Sequence, residues 1–346
     1  MRFGTSPWSC HPRACLFWSE MTPVTKPLRS RLLKLLVLAA LIALFLYVSV
    51  KHTASLPPKS SRLLPKELYK LISPLTYKYL LNQPDLCQNR KPFLVLVIPV
   101  TLQDSESRTA IRKTWGQENL VPHVDTARVF FIGEPRERDP KLEEDLEKES
   151  MAYRDIVQMD FLDTYHNLTI KTMMIMNWLA SYCRSAQYAM KIDADIFLNL
   201  PYLVDYLQNK AKHNYITGSV ITDGRPRRNP NSKWYLSEEL YSENLFPPYL
   251  SGAGYVFSVD LAKKISMASK FVRPIPMEDV YVGMCLHFLN IRPEFAWTLL
   301  PYKNLFEIRH LDYDRCTFAK RVIVTGFTST KLMSMWTDFQ SAAFSC

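Results

Sequence analysis

Apolar and polar positions divide most of the chain into short, well-punctuated elements. Phe93–Val100 (FLVLVIPV) is a continuous apolar run, the pattern of a strand buried on both faces of a parallel sheet. Ser105–Trp115 predicts a helix with Arg108 and Arg112 four residues apart on one face, ended by Gly116. Val129–Gly133 (VFFIG) predicts a second buried strand, Lys141–Met151 an acidic helix with a solvated face, and Ile156–Phe161 a third strand running to Asp160 and Asp163. Leu168–Tyr182 spaces Met, Ile, Trp and Leu as a helix does, and Tyr188–Ile192 alternates as a fourth strand. Strand and helix in alternation predict an α/β fold with a doubly wound sheet, which takes its ligands beyond the carboxyl ends of the strands.

Further on, Pro201–Lys212 reads as a helix and Tyr215–Gly218 as extended chain. Arg225–Lys233 is a basic loop rich in Pro and Asn that leads into Lys233-Trp234-Tyr235; it is either an exposed loop or a flap over an anionic ligand. Pro247–Ser258 (PPYLSGAGYVFS) puts Gly252 and Gly254 before another strand, where they serve a tight turn or let the backbone approach a ligand. Glu278 and Asp279 open an apolar helix, a position that the helix dipole favours for acids in any case.

Upstream, Leu35–Val50 is apolar except for Ser49, and Leu32–Leu33 extend the run past Lys34. This is slightly shorter than the ~20 residues of an ordinary transmembrane helix, and Lys34 can snorkel to lengthen it. The expected organisation is a cytosolic tail over 1–31, a transmembrane signal anchor over 32–50, a Pro-interrupted stem over 51–86 and a lumenal domain over 87–346. The net charge of +10 changes meaning once it is located: residues 1–60 hold eight basic residues against Glu20, a net of +7 that leaves +3 for the rest. That basic flank orients the tail toward the cytosol and makes a nucleic-acid-binding domain a poor account of the charge. A lumenal location permits disulfides among Cys87, Cys183, Cys285, Cys316 and Cys346; we expect Cys87 with Cys183 and Cys285 with Cys316. No cysteine spacing resembles a zinc site. Asn167-Leu168-Thr169 is the one glycosylation sequon, and Asn167 is equally placed to cap the helix that follows.

The candidate chemistry centres on Tyr188–Asn199 (YAMKIDADIFLN), where two aspartates separated by one residue follow a strand. In an extended chain Asp193 and Asp195 share a face. Paired acids between apolar runs call for a cation, and a hard divalent ion carrying a phosphorylated ligand suits them. The bland alternative is an acidic turn at a strand end.

The strings IRKTWG (Ile111–Gly116), DFLDTYHNLTIKT (Asp160–Thr172), KIDADIFLN, SKWY (Ser232–Tyr235), YLSGAGYVFS and EDVYVG occur in one order. Over roughly residues 87–346 that order resembles the beta-1,3-galactosyltransferase family, type II Golgi membrane enzymes with a GT-A, Rossmann-like nucleotide-sugar domain. The resemblance implies an inverting transfer of galactose from UDP-galactose to the 3-hydroxyl of a terminal sugar on a glycoprotein or glycolipid, with Mn²⁺ or another divalent cation. UDP-N-acetylglucosamine is the alternative donor, and a catalytically silent sugar-binding relative the alternative class. It further implies that Asp195 with Asp193 holds the metal and that Asp279 is the general base. Glu278 would hold a sugar, Arg108 and Arg112 would lie near the nucleotide, and Trp234, Gly252 and Gly254 would form the sugar-binding wall. The chain departs from the family pattern at Ala194 between the aspartates and at Leu250, where many members have Cys. It departs again at Gly326, where many have a metal-ligating His; His310 or water is the substitute to consider.

Overall fold

The computed structural model describes residues 34–44, 47, 66–88, 90–301 and 312–341. The chain falls into two units, Met1–Lys59 and Ser60–Cys346. In the first, residues 34–44 are helical with exposed side chains; among the described residues no helix is long and apolar enough to cross a membrane. The rest of the expected 32–50 span and the tail lie outside the described residues.

The second unit begins upstream of Cys87. It opens with α1 (Lys66–Ile72) and β1 (Tyr79–Leu81), so residues expected to be stem belong to the globular unit. There follow β2 (Leu94–Pro99), α2 (Ser105–Lys113), β3 (Thr126–Glu134), α3 (Pro140–Tyr153), β4 (Ile156–Leu162), α4 (Leu168–Tyr182), β5 (Tyr188–Ile192) and β6 (Ile196–Leu198). The remainder is α5 (Leu200–Leu207), β7 (Ile216–Ile221), β8 (Tyr249–Ser258), α6 (Asp260–Ala268), α7 (Glu278–Phe288), β9 (Glu294–Phe295), α8 (Arg315–Ala319), β10 (Ile323–Thr325) and α9 (Ser329–Gln340).

Eight strands form one sheet in the order β1-β4-β3-β2-β5-β8-β7-β9, and β10 pairs with β6 in a separate ribbon. Strands β4, β3, β2 and β5 are mutually parallel. On one side β1 joins antiparallel, and on the other β8 joins β5 and β7 antiparallel. The sheet is therefore mixed rather than uniformly parallel. The run joining β7 to β8 holds no helix for a crossover, so β8 returns antiparallel beside β7.

Alternation sets the two faces. Val95 and Val97 of β2 pack with Ala127, Val129 and Phe131 of β3 against α4, α6 and α7. Leu94, Leu96 and Ile98 face the other way, with Phe130, Ile132, Tyr188 and Met190, toward α2, α5 and the β6–β10 ribbon. Helix α4 is buried nearly all round, as its run of Met, Ile, Trp and Leu requires. Its expected N-cap makes no side-chain capping bond; Asn167 instead donates to the Leu162 carbonyl at 2.8 Å. Cys87 and Cys183 form a disulfide with their Cα atoms 5.0 Å apart. The expected Cys285–Cys316 bond is not made: Cys285 is a buried free thiol in α7, while Cys316 is disulfide-bonded elsewhere.

Two element lengths differ from the sequence reading. Helix α5 stops at Leu207, where its apolar spacing ends and the Lys210 carbonyl turns to accept from the Tyr188 hydroxyl at 2.8 Å. Helix α3 is not solvated throughout, because Glu149 turns inward to Arg108 and Arg112.

Candidate functional site

The order of the parallel strands reverses between β2 and β5, and the crevice beyond their carboxyl ends is where such sheets take ligands. Beyond β2 the Val100 carbonyl accepts from Lys171 of α4 at 2.7 Å, and Lys171 also pairs with Asp163 at 2.7 Å. Burial pulls the Lys171 ammonium down, against the opposing field of Asp163. Beyond β5 stand the two aspartates.

Strand β5 ends at Ile192, and Ala194 and Asp195 form a turn before β6. The two carboxylates therefore do not project from one continuous strand face as expected. Asp193 donates its amide to the Ala253 carbonyl of β8 at 3.1 Å. Asp195 is exposed, and its carbonyl accepts from the amides of Gly326 and Phe327 at 3.1 and 3.0 Å. Trp115, the tryptophan of IRKTWG, is buried and donates to the Ile196 carbonyl at 2.9 Å, fixing the far side of the same turn. Gly326 has φ 91, a left-handed backbone where a side chain is strained. Its position serves the turn, and a histidine there would have to take that strained backbone. His310 lies outside the described residues.

Lys191 joins Asp193 to the second acidic pair. Its ammonium lies 2.7 Å from Asp193 Oδ1 and 3.0 Å from Glu278 Oε1, and it donates to the Gly252 carbonyl. The Tyr255 hydroxyl adds a bond to Glu278 Oε2 at 3.5 Å. Burial works to lower the Lys191 ammonium, but the fields of Asp193 and Glu278 outweigh it and hold the group protonated. Burial, with the neighbouring charges of Asp279 and Asp193, pushes Glu278 up to about 7 despite Lys191. Asp279 is raised by burial as well, partly offset by the backbone amides of Val280 and Gly252; the Val280 bond is 2.8 Å. Both acids sit on the first turn of α7, where the dipole favours their charged forms.

Gly252 is where β8 meets both acids. A Cβ there would stand 2.9 Å from Glu278 Oε1 and 3.4 Å from Asp279 Oδ2. Gly254 does not touch them; it is paired with Ile192 and packs on Met190 and Ile323. Leu250 is a packing residue against Gly218. Trp234 is 47% exposed and donates its indole N–H to the Tyr165 hydroxyl at 3.0 Å. Tyr165 lies within the fields of Asp279, Glu278 and Asp193, which with burial raise its hydroxyl.

Arg108 and Arg112 stand apart from this group. Arg108, 1% exposed, donates to Glu149 and to the Thr101 and Leu102 carbonyls. Arg112 pairs with Glu149 and Asp155, and Arg128 shares Asp155. Their donors are turned into the protein, and those of Arg108 hold the loop after β2.

Among the described residues no group of three or more His, Cys, Asp or Glu gathers to hold a metal unaided. Asp195 is exposed, and Asp193 keeps a 41% exposed side chain with one oxygen on Lys191. These oxygens fit a hard cation that draws its other ligands from a diphosphate and water.

Sequence reasoning passed over Lys191, Lys171, Tyr165 and Tyr255. Lys191 had a signal, since it stands two residues before Asp193 and shares its face. Tyr165 had none, because only the fold brings the β4–α4 turn to the loop carrying Trp234.

Fold and site define the class: an α/β protein with a mixed sheet whose carboxyl edge gathers acids around a buried lysine at the strand-order reversal. Residues 106–295 match the family described as galactosyltransferase. "Beta-1,3-galactosyltransferase 2" of Mus musculus is 40% identical over 269 residues, which is 76% of this chain and 62% of that protein. The Homo sapiens protein of the same name matches equally. "Beta-1,3-galactosyltransferase 1" of Mus musculus is 38% identical over 274 residues, 78% of this chain and 81% of that protein. Among solved structures, a glycosyltransferase involved in glycosylation of the major capsid of PBCV-1 has 9% identity and a TM-score of 0.36 over 71% of this chain and 100% of that one, too low to bear on the fold. The chain belongs to the galactosyltransferase family, and its similarity there runs to the beta-1,3-galactosyltransferases.

Proposed function

We propose that this chain is an inverting, metal-dependent transferase of GT-A type. It moves galactose from UDP-galactose to the 3-hydroxyl of a terminal sugar on a glycoprotein or glycolipid. The observation that carries the reading is Asp279: a half-buried carboxylate on two backbone amides, beside a lysine-bound acid pair at the sheet's switch point.

In this reading Asp279 takes the proton from the acceptor 3-hydroxyl as that oxygen bonds to the anomeric carbon. The bond from that carbon to the diphosphate breaks on the opposite face, UDP leaves, and the configuration inverts. The upward push on Asp279 makes it a stronger base than an exposed aspartate. Lys191 holds Glu278 and Asp193 in register, and Glu278 would hold a sugar hydroxyl. Asp195, with Asp193, would hold Mn²⁺ or another hard divalent cation, which when bound supplies Lewis-acid stabilisation of the departing diphosphate. Arg108 would serve the nucleotide indirectly, by fixing the loop after β2, and Arg112 by holding Glu149, the carboxylate that Arg108 shares. The setting is a single-pass type II Golgi membrane protein with its catalytic domain in the lumen.

The test separates binding from chemistry. Asp279→Asn keeps the shape and removes the proton acceptor, so turnover should fall about 10²–10⁴-fold with UDP–Mn²⁺ affinity nearly unchanged. Asp195→Ala should weaken Mn²⁺-dependent UDP binding and transfer together. Calorimetry and initial rates with UDP-galactose make the comparison. Near-normal turnover in Asp279→Asn, or equal loss of UDP binding in both variants, overturns the assignment.

A further inference from the structure

Tyr165 and Trp234 are presented by two segments far apart in the chain and meet through a hydrogen bond. Tyr165 stands on a 3₁₀ turn, Tyr165–Asn167, before α4. That turn is anchored by the Asn167 side chain on Leu162 and, one turn on, by Thr169 donating to the Ile275 carbonyl at 2.6 Å just before α7. Trp234 comes from the loop between β7 and β8. The Ser232 hydroxyl holds its amide at 3.2 Å, and a bridge between Arg227 and Tyr235 closes the loop. The rings are joined by the indole N–H on the tyrosine oxygen at 3.0 Å, yet they are 49% and 47% exposed. The Lys233 ammonium lies 4.6 Å from the Trp234 ring and 5.5 Å from the Tyr165 ring.

Two half-exposed aromatic rings fixed to each other by a hydrogen bond, with a flexible lysine lying over them, have the make-up of a small-ligand subsite. We propose that Tyr165 and Trp234 form the acceptor subsite, taking the apolar face of an uncharged pyranose after Lys233 moves aside. The inference rests on the transfer reading above and extends it to the acceptor.

Three observations favour acceptor over donor. The Tyr165 turn is tied through Thr169 to the Ile275 carbonyl, just ahead of the α7 turn that carries Asp279, and Asp279 is the group that must reach the acceptor hydroxyl. The rings come from the β4–α4 turn and the β7–β8 loop, whereas the carboxylate proposed to hold the metal stands on the Asp195 turn held by Gly326 and Phe327. The local charge is mixed, with the acids Asp193, Glu278 and Asp279 against the ammonium groups of Lys191 and Lys233, and leaves no net positive field to recruit an anionic sugar. A neutral ring with C–H groups on one face suits the aromatic surface, and Lys233 gives up only an exposed cation–π contact, worth little.

The test uses the full-length protein in detergent with methyl β-D-galactopyranoside and methyl β-N-acetylglucosaminide as acceptors. Trp234→Ala and Tyr165→Ala should raise the acceptor KM about tenfold or more, with the UDP-galactose KM within about twofold of wild type. Tyr165→Phe keeps the ring and should fall between them. Lys233→Ala should leave the acceptor KM unchanged or lower it. Saturation-transfer NMR of the same glycosides, without donor, gives an independent reading. Signal with wild type that is lost in Trp234→Ala supports the subsite even if no galactose is transferred, in which case only the transfer reading falls. A rise in donor KM instead, or an unchanged acceptor KM in both alanine variants, overturns the proposal. So does a wild type that neither binds nor uses either glycoside.

Discussion

At the scale of single residues, the two glycines of YLSGAGYVFS have different jobs, and the sequence alone treats them alike. A methyl group at Gly252 would come within 2.9 Å of Glu278 Oε1, and Glu278 has little room to give because Lys191 and Tyr255 hold it. Gly252→Ala should therefore shift the acids and cut transfer about 10²-fold, while thermal stability changes little. Gly254→Ala would meet the mobile ends of Met190 and Ile323 at 3.2 and 3.4 Å, so its cost should appear in stability. Rates and melting curves of the two variants check this; equal loss of activity in both would refute the distinction. The carboxylates themselves were legible, because acids inside apolar runs have few structural uses. Their partners were less so. Lys191 was in plain view but reads as an ordinary strand lysine until Glu278 is known to sit across from it.

At the scale of elements, the helix α2 arginines show how one spacing supports two readings. Arg108 and Arg112 share a face as expected, yet that face turns to Glu149 of α3 and Asp155, with Arg128 completing the group. Arg112 and Asp155 side chains are 6% and 4% exposed, and removing one member of a buried pair costs about 3–5 kcal/mol. Arg112→Ala should sit near the low end, about 3 kcal/mol, because Arg108 and Arg128 still neutralise part of the charge. Urea unfolding measures that loss, and UDP affinity should stay within about twofold. Reduced UDP affinity with unchanged stability would mean that Arg112 meets the nucleotide directly. Strands β2 and β3 were readable from their continuous apolar runs, as strands buried on both faces require, and β5 from its alternation. The antiparallel placement of β8 was not, since a strand's own residues do not say which way it runs. The position of β1 was hidden for another reason. Its Tyr79–Leu81 is short and half-buried, and prolines around it gave the segment the look of a linker.

At the scale of the whole molecule, the outstanding question is on which side of a membrane the site lies. The apolar run at Leu35–Val50 follows most of the +7 carried by residues 1–60, which predicts a cytosolic tail and a lumenal Ser60–Cys346 unit. The Cys87–Cys183 disulfide agrees independently, because structural disulfides persist in oxidising compartments and are rare in the cytosol. It closes a loop of 96 residues between the segment before β2 and the end of α4, so by the loop-entropy argument it contributes several kcal/mol in its oxidised form. Protease added to sealed microsomes should therefore trim only a few kilodaltons from the amino end. The remaining protein should migrate with its disulfide intact under non-reducing conditions, and detergent should expose the whole chain to digestion. If the bulk is digested in sealed vesicles, or Cys87 and Cys183 label as free thiols in cells, the lumenal assignment is wrong. The Golgi setting proposed for the reaction would fall with it, and the geometry around Asp279 would stand unaffected.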